Sequence, residues 1–523
     1  MIPIEHSRLA LQTSLDVQKT QRERNFLGQF ATPSALANDI LEYAIRLMPK
    51  GSIVNFLDPA IGTGSFYAAL RAAFPPHAIG RARGFEVDSH YGLPAIQLWK
   101  DTPLELEIAD FTAAATPADE DKANLIICNP PYVRHHHLDP VAKTRLAEMA
   151  VRHSGIEVGG LAGMYCYFMA IAHAWMTDGG LAGWLIPSEF MDVNYGSALR
   201  RYLTEKVELV HIHRFDPAEL QFGDAQVSSV VVWFRRNAPR PSQTVKMTFG
   251  GTLAHPLVCR ETPIRELSDS SKWSGLVHGP SRAKIGGYRL SDLFWIKRGL
   301  ATGDNKFFIL SQEKARQLAV PGKFLKPVLP SPRYLLSDIV EADATGEPAA
   351  IEKLYLLDCS EDEEEVLSLS APLANYLNSG REKAAQTYIC SRRTPWYSQE
   401  VRPPAPFVCT YMGRGLERRA KPFRFILNQS NATALNVYLM LYPRPLLAGA
   451  MQRDRKLARA IWELLNEIPA ETLLGEGRVY GGGLYKMEPR ELANVPADAI
   501  MALLSRDGVE SLIQTEMFAD LVA

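Results

Sequence analysis

Between residues 56 and 66 the chain reads Phe56-Leu57-Asp58-Pro59-Ala60-Ile61-Gly62-Thr63-Gly64-Ser65-Phe66, directly after an apolar run. Glycines at 62 and 64 let a backbone turn tightly and approach a ligand where a side chain would collide. The loop is not the phosphate-binding GxxxxGK[ST], because no lysine follows the second glycine. An apolar strand, Asp-Pro, Gly-x-Gly and a helix in that order predict a Rossmann-like ligand loop after the first strand of an α/β sheet.

The region around this loop alternates short apolar runs with amphipathic stretches from about residue 50 to 235. That alternation predicts βαβ units and a largely parallel sheet. A helix is expected over 162–177, and Asp178-Gly179-Gly180 is expected to end it. The predicted strands are 53–57, 83–87, 125–128, 181–186, 207–214 and 227–234.

A polar, proline-rich stretch at 235–242 interrupts this pattern, and we place a domain boundary there. The two predicted domains are 1–245 and 246–523. In the second, prolines cluster at 403–404 and 443–445, and 446–467 is the clearest helical segment. We find no internal repeat and no low-complexity tract.

The composition is that of a soluble globular protein, with 46% hydrophobic and 22% charged residues in 523. No apolar run reaches the roughly 18 residues that a membrane span needs, and the N-terminus lacks a signal peptide pattern. Six cysteines without a CxxC pair favour a reduced, cytoplasmic setting and no structural zinc. The net charge of −1 does not indicate nucleic-acid binding, although basic stretches at 392–393, 414–424 and 453–459 could line a cleft.

The motif Asn129-Pro130-Pro131-Tyr132 follows the apolar run 125–128, at the carboxyl end of a predicted parallel strand. Open α/β sheets bind their ligands at that edge. The amide oxygen and a backbone carbonyl can accept two amine hydrogens, while the tyrosine ring stacks on a flat ring. The motif therefore suits a planar heteroaromatic base with an exocyclic amine.

Two acidic residues complete the predicted ligand edge. Glu86 ends the second strand 22 residues after Gly64, the offset at which an acidic residue holds ribose hydroxyls. Asp110, followed by Phe111, could accept from an adenine amine, or could cap a turn. A metal site at His135-His136-His137 is not expected, because consecutive side chains do not converge on one ion.

In this order the motifs resemble those of the S-adenosylmethionine-dependent DNA adenine-N6 methyltransferases. The segment Gly28-Gln29-Phe30-Ala31-Thr32-Pro33 is similar to that family's extra donor-binding motif, and the motif order is that of the gamma class, as in TaqI-type enzymes. The resemblance covers 25–235. It implies a class I domain with a mixed, mostly parallel seven-stranded sheet, followed by an α+β target recognition domain loosely marked by 298–308 and 480–487.

The resemblance also implies a role for each matching residue. Thr32 and Pro33 would lie against the methionine moiety of S-adenosylmethionine, and Asp58 would meet its amino group. Glu86 would bind the ribose and Asp110 the adenine amine. The residues implied to form the cofactor site are Gln29, Phe30, Thr32, Pro33, Asp58, Pro59, Ala60, Gly62, Gly64, Glu86, Val87, Asp110, Phe111, Asn129 and Phe168.

The target base would be held by Asn129, Pro130, Pro131 and Tyr132, with Phe222 as a second stacking ring. The loop after Phe222 departs from the family pattern, because 223–226 carries no basic residue. Trp396-Tyr397 could stack on DNA or belong to the core. The candidate DNA-contacting residues of the second domain are Arg298, Lys306, Arg392, Arg393 and Arg414, with Asn428 and Asn431 as further possibilities.

The expected activity is site-specific methylation of the N6 amine of a flipped-out adenine in double-stranded DNA, by a monomer in a restriction-modification system. A separate partner nuclease, or none, is expected, since the sequence shows no convincing nuclease site outside the methyltransferase core. A protein glutamine N5-methyltransferase is an alternative, but such enzymes lack a large C-terminal domain. Methylation of cytosine N4, and the role of a catalytically silent DNA-specificity module, stay open as well.

Overall fold

The computed structural model describes residues 3–133, 137–217, 219, 221, 228–278, 287–414, 421–480 and 484–506. The chain forms two compact units. The first comprises Met1–Ser281 with Tyr480–Gly483, and the second comprises Arg282–Val479 with Leu484–Ala523. None of the helices in the described ranges is long and apolar enough to cross a membrane.

A nine-stranded sheet in the order β3-β2-β1-β4-β5-β7-β6-β8-β9 forms the centre of the first unit. Neighbouring strands are parallel except for the β5–β7, β6–β7 and β8–β9 pairs. The strands are β1 (Val54–Asp58), β2 (Ile79–Glu86), β3 (Leu104–Ile108), β4 (Ala123–Cys128), β5 (Met176–Pro187), β6 (Glu208–Arg214), β7 (Ser229–Arg235), β8 (Thr244–Gly251) and β9 (Pro256–Pro263).

Helices cover both faces of this sheet, so its central strands are buried on both sides. Along β4, Leu125 and Ile127 pack into one core, and Ile126 and Cys128 into the other. A near-continuous apolar run is typical of such a doubly covered strand. The helices are α1 (Pro3–Val17), α2 (Gln21–Leu27), α3 (Ser34–Leu47), α4 (Ser65–Ala73), α5 (Ser89–Trp99), α6 (Pro140–Ser154), α7 (Met164–Ala172), α8 (Ser197–Glu205) and α9 (Ile264–Asp269).

The predicted α/β fold with a mostly parallel sheet is confirmed, and all six predicted strands are present. The sheet has two more strands than expected, because β8 pairs in parallel with β6 and β9 follows it. The first unit therefore continues to Ser281 instead of ending at 245. The proline-rich stretch at 235–242 is the connection between β7 and β8.

The helix expected over 162–177 is shorter, because the chain enters β5 at Met176. Asp178-Gly179-Gly180 lies inside that strand and does not end a helix. The register against β4 shifts there, from the pair Ala123–Met176 to the pair Leu125–Leu181. The extra residues on β5 form an irregularity of the β-bulge kind, which the glycines accommodate.

The second unit has a five-stranded sheet in the order β10-β18-β15-β17-β13 and two three-stranded sheets, β11-β14-β12 and β16-β20-β19. Its strands are β10 (Phe294–Arg298), β11 (Ile309–Ser311), β12 (Leu325–Val328), β13 (Ile339–Val340), β14 (Leu354–Leu357), β15 (Phe407–Thr410), β16 (Met412–Arg414), β17 (Phe425–Asn428), β18 (Tyr438–Pro443), β19 (Arg478–Tyr480) and β20 (Leu484–Lys486).

Helices and strands are mixed in this unit, as an α+β domain requires. The helix expected over 446–467 is two helices, because Asp454 stops the first and caps the second by accepting from the Lys456 amide. The helices are α10 (Leu290–Leu293), α11 (Asn305–Phe308), α12 (Gln312–Gln317), α13 (Glu363–Leu369), α14 (Ala371–Ser379), α15 (Pro445–Arg453), α16 (Arg455–Glu467), α17 (Ala470–Glu476), α18 (Pro489–Ala493) and α19 (Asp498–Arg506).

Two buried histidines on β6 share one hydroxyl from β8. The Thr248 Oγ1 lies 2.7 Å from His211 Nε2 and 2.8 Å from His213 Nδ1. Both rings are fully buried. Burial lowers the pKa of His213 to about 4 and holds the pKa of His211 well below its usual value, so both rings are neutral at pH 7.

This pair should make the first unit less stable in mild acid. Unfolded histidines take up protons near their usual pKa of about 6.5, whereas the folded pair does not, so stability falls as the pH decreases from about 6.5 towards 4. At about pH 5.5 the loss is roughly 1.4 kcal/mol for each histidine. The free energy of unfolding is measured by urea denaturation at about pH 7.5 and about pH 5.5. The difference in the free energy of unfolding between the two pH values should be smaller in the His211→Gln/His213→Gln variant. An unchanged difference would contradict the assignment.

Candidate active site

The carboxyl ends of β1, β2 and β4 bring the predicted ligand residues to one edge of the sheet. Asp58 is the last residue of β1, Glu86 ends β2, and Asn129 directly follows β4. Because β1 lies between β2 and β4 and all three run parallel, these ends are adjacent. This is the edge at which open α/β sheets hold their ligands.

The glycine loop between β1 and α4 is fixed by the end of β2. Glu86 accepts hydrogen bonds from the Gly62 amide at 3.0 Å and from the Asp88 amide at 2.8 Å. Gly64 has φ +92°, and a Cβ there would lie 2.5 Å from the Trp99 indole nitrogen. A Cβ at Gly62 would meet no protein atom within 4 Å, so the loop leaves open space above that glycine.

Asp58 is a buried carboxyl beside a second one. Its side chain is 1% exposed and accepts from the Ala60 amide at 3.1 Å. Burial raises its pKa to about 8, and the neighbouring Glu86 acts in the same direction. Burial also raises the pKa of Glu86. A cation beside Asp58 would restore its ionised form, so this carboxyl suits the ammonium group of a methionine moiety.

The segment before α3 lies against both the acidic edge and Asn129. The side-chain amide of Gln29 donates to the Asp88 carboxylate at 2.7 Å. The Asn129 amide nitrogen donates to the Phe30 carbonyl at 2.9 Å and to the Thr32 hydroxyl at 3.1 Å. The predicted donor-binding motif is therefore in contact with the motif that follows β4.

These two bonds fix the orientation of the Asn129 amide. A carbonyl oxygen only accepts, so the group facing Phe30 must be the NH2. The Asn129 Oδ1 then faces away, where it is buried without a hydrogen-bond partner among the described residues. An unsatisfied buried acceptor costs roughly 1–3 kcal/mol. Such an oxygen is suited to a ligand that brings an N–H donor.

Tyr132 is held at both its backbone and its hydroxyl. Its amide donates to the Gly28 carbonyl at 3.2 Å, and its hydroxyl donates to the Leu185 carbonyl at 3.1 Å. The half-buried ring lies 5.6 Å from the Phe30 ring, centre to centre. Burial holds the pKa of Tyr132 well above its usual value, so the ring is neutral and serves as an apolar face.

The residues predicted to surround the cofactor's adenine differ in burial and in their contacts. Asp110 accepts from the Thr112 amide at 2.9 Å and pairs with Arg145 at 3.0 Å, so it caps a turn as well as carrying a carboxylate at the edge. Phe111 and Phe168 are buried with their ring centres 5.6 Å apart. Val87 is 70% exposed and presents open apolar surface.

Several residues that contact these loops carry no motif and were missed from the sequence. Arg8 and Gln12 of α1 bond to the Thr63 hydroxyl in the glycine loop. Lys19 pairs with Asp88, and Arg145 with Asp110. Polar positions on an amphipathic helix give no sequence signal of what they contact. Phe222, His135 and His136 lie outside the described residues.

In the second unit, one residue from each of the two segments that marked a target recognition domain lies against the Tyr411 ring. Arg298 of β10 lies over the Tyr411 ring at 4.0 Å, and the Lys486 ammonium of β20 lies 5.2 Å from the same ring. Lys306 is exposed on α11. Arg298 and Lys306 are exposed where a polyanion could reach them, whereas Lys486 is half-buried and paired with Glu488 at 2.8 Å.

Two other candidate DNA contacts, Arg393 and Asn428, use their side chains within the protein, whereas Asn431 is exposed. Arg393 donates to the Ala301 and Thr302 carbonyls, both at 2.9 Å. Asn428 is buried and uses its amide to hold the loop at Ala432. Asn431 lies in that same loop, where its backbone amide donates to the Gly346 carbonyl.

The remaining candidates divide between the surface and the core. Arg392 stacks on the exposed Tyr388 at 3.9 Å and remains at the surface. Trp396 and Tyr397 pack in the core, where the Trp396 ring lies 5.6 Å from Phe307. Arg414 lies in β16, and its side chain is outside the description.

A mostly parallel sheet, a glycine loop after its first strand, and buried carboxyls at adjacent strand ends are the features expected of a class I, S-adenosylmethionine-dependent methyltransferase. Comparison with protein families gives two matches. Residues 282–522 match the C-terminal domain of the Type II methyltransferase M.Eco57I, and residues 85–221 match the Eco57I restriction-modification methylase. Together they span more than two thirds of the chain.

Curated relatives match over nearly the whole length. The Type II methyltransferase M.XamI of Xanthomonas campestris pv. amaranthicola is 27% identical over 487 residues, covering 89% of this chain and 84% of that protein. M.AccI of Acinetobacter calcoaceticus is 24% identical over 489 residues, covering 90% and 85%. The chain is therefore a DNA methyltransferase of the Type II restriction-modification class, with S-adenosylmethionine as its cofactor.

A solved structure shares the fold at low sequence identity. The Type IIL restriction-modification enzyme MmeI, in complex with DNA, is 14% identical with a TM-score of 0.51. The match covers 86% of this chain and 63% of that chain. It shows likeness of fold alone.

Substitution of Gly28 tests whether residues 28–33, which we call the donor segment, fix the loop over residues 129–132. Gly28 has φ +65°, and a Cβ there would lie 2.4 Å from the Tyr132 nitrogen. Gly51, with φ +76°, has no atom within 4 Å of an added Cβ. Gly28→Ala should reduce methyl transfer by about 100-fold, because the loop must move by a fraction of an ångström or more. Gly51→Ala carries the same backbone strain without the clash and should stay within about three-fold of the native rate.

Both rates are measured as the incorporation of labelled methyl groups into unmethylated genomic DNA. Equal activity of the two variants would show that the close approach of Gly28 to Tyr132 has no part in positioning the loop.

Proposed function

We propose that this chain is a gamma-class, site-specific methyltransferase for the N6 amine of adenine in double-stranded DNA. The observation that carries the proposal is the buried Asn129 Oδ1, which lacks a partner among the described residues while its amide nitrogen is held by Phe30 and Thr32. The oxygen is thus a fixed acceptor in the same four-residue motif as Tyr132. An exocyclic amine on a flat base fits both groups.

The chemistry required of these residues follows from the weakness of the nucleophile. The lone pair of an exocyclic adenine amine is delocalised into the ring. Asn129 Oδ1 and the Pro130 carbonyl would each accept one amine hydrogen, which draws the nitrogen towards tetrahedral geometry and localises the lone pair. The nitrogen becomes strongly acidic only after methylation, so no dedicated base is needed. Orientation then supplies much of the acceleration, about 7–11 kcal/mol in favourable cases.

The cofactor residues at the strand ends fit S-adenosylmethionine. When bound, this cofactor supplies an electrophilic methyl group on a sulfonium. Asp58, whose pKa burial raises to about 8, would pair with the ammonium group, and Glu86 would hold the ribose hydroxyls. Thr32 and Pro33 would contact the methionine chain. Asp110 would accept from the adenine amine alongside its bond to Arg145.

Access to this site requires the target base to leave the duplex. Flipping costs a few kcal/mol, which stacking on Tyr132 and on Phe222 would offset. The second unit, which matches the M.Eco57I C-terminal domain, would read the sequence. Arg298, Lys306 and Arg392 are the surface cations that we assign to DNA contact. Phosphate contacts of this kind position the protein without specifying sequence. We propose a monomer that works beside a separate cognate nuclease.

Mapping of modified bases tests the proposal directly. The chain is expressed in a bacterial host that lacks endogenous DNA methylation, and long-read sequencing locates the modified bases. N6-methyladenine in one sequence context is expected. N4-methylcytosine would reassign the target base, and an unmodified genome would contradict the proposed activity in favour of a protein substrate or a silent specificity module.

Substitution of Asn129 separates chemistry from cofactor binding. Asn129→Ala removes the acceptor and should reduce methyl transfer by at least about 1000-fold, while the affinity for S-adenosylmethionine stays within about five-fold. Thr32→Val is the matched control, because it removes one partner of the Asn129 amide but keeps the acceptor oxygen. That variant should retain measurable turnover. Near-normal turnover of Asn129→Ala would exclude the amine-polarising role.

A further inference from the structure

Helix α1 holds a buried arginine against the glycine loop. Arg8 is 1% exposed. Its guanidinium donates to the Thr63 hydroxyl at 3.1 Å and to the Ser34 hydroxyl at 3.2 Å. The same group pairs with Glu5, one turn earlier on the helix, through two bonds of 2.8 Å. One side chain thus connects the glycine loop to the first residue of α3, next to the donor segment.

A second residue of α1 holds the same loop hydroxyl. The Thr63 hydroxyl donates to the Gln12 side-chain oxygen at 2.6 Å. Residues four apart lie on one face of a helix, so Arg8 and Gln12 form a continuous contact along α1. The Thr63 side chain, which is 2% exposed, therefore has both its donor and an acceptor position occupied by this helix.

The other end of α1 reaches the segment that follows β2. The Tyr91 hydroxyl donates to Asp16 at 2.9 Å, and the His90 ring lies 3.0 Å from the Leu15 carbonyl. Just beyond the helix, Lys19 pairs with Asp88, which also accepts from Gln29. The helix and the turn after it therefore contact all three segments proposed to hold the cofactor: the glycine loop, the donor segment and the end of β2.

Burying a charged side chain is an energetically unfavourable way to attach a helix. Removing a guanidinium from water is unfavourable unless its donors are satisfied, and an apolar contact would secure α1 more cheaply. The polar contact provides direction, because each bond specifies the position of one hydroxyl. The Thr63 hydroxyl belongs to the glycine loop and the Ser34 hydroxyl directly follows the donor segment, so the two bonds fix the glycine loop relative to the start of α3.

We infer that α1 forms a third wall of the methyl-donor pocket, in which Arg8 is a positioning residue that sets the glycine loop against the donor segment. The inference rests on the proposed placement of S-adenosylmethionine at these segments. Arg8 acts through Thr63 and Ser34 and has no contact with DNA in this assignment. Its loss should therefore alter cofactor affinity and leave the chemical step close to native.

Calorimetric titration of the full chain with S-adenosylmethionine alone tests this role. Arg8→Met should weaken binding by at least about ten-fold. Without Arg8 the glycine loop is less ordered before the cofactor binds, and ordering it upon binding lowers the affinity. Thr63→Val removes the shared hydroxyl and should weaken binding by a similar factor. In the double variant the two effects should not add, since both break one interaction. In steady-state assays KM for the cofactor should rise while kcat stays within about three-fold.

Arg200→Met is the matched control. Arg200 is 9% exposed in the same unit and donates to the Phe190 and Val193 carbonyls, away from the three cofactor segments. This variant should lower the melting temperature as Arg8→Met does, but leave cofactor affinity within about two-fold.

Native affinity in Arg8→Met, or in Thr63→Val if Arg8→Met does not fold, overturns the inference. Equal weakening in Arg8→Met and Arg200→Met overturns it as well, because the effect would then reflect general destabilisation. Failure of the native chain to bind S-adenosylmethionine would instead refute the proposed cofactor placement, so the two failures are distinguishable.

Discussion

The hydrogen bonds from the Asn129 amide nitrogen to the Phe30 carbonyl and the Thr32 hydroxyl join the two halves of the active site. One half is the segment before α3, and the other is the loop after β4. The same pair of bonds determines which side of the amide carries the free acceptor. A single side chain thereby contacts the donor segment and, in the proposed function, sets the direction in which the target amine would be presented.

Much of the fold and of the site follows from local sequence patterns. Apolar runs bounded by turn residues identified β1, β2 and β4, and the rule that parallel strands share an edge placed Asp58, Glu86 and Asn129 together. Two errors in the first unit share one cause, which is pairing between distant residues. Whether 244–251 forms a strand depends on the partner that β6 offers, and Asp178-Gly179-Gly180 ends no helix because β4 pairs with the residues around it.

Side-chain roles were harder to predict than strand positions, above all for arginine. Arg393 and Arg424 bond to backbone carbonyls, and Arg8 to hydroxyls beside the proposed cofactor site. Arg298 and Arg392 stack on tyrosines at 4.0 and 3.9 Å. The sequence carries no signal that separates these five arginines. Only the tertiary structure distinguishes those that bond to groups within the fold from those whose side chains stay at the surface.

The contact of Gly28 with the Tyr132 backbone links two segments that are far apart in the chain. A side chain at 28 would overlap the Tyr132 backbone, so the donor segment and the loop after β4 fit only as a matched pair. For the construction of hybrid enzymes, a crossover between residues 33 and 129 would combine halves from different parents at this contact. Exchanges beyond residue 281 leave Gly28 and Tyr132 with their original partners, so under the proposed function, in which the second unit reads the DNA sequence, new specificities would be sought by recombining that unit.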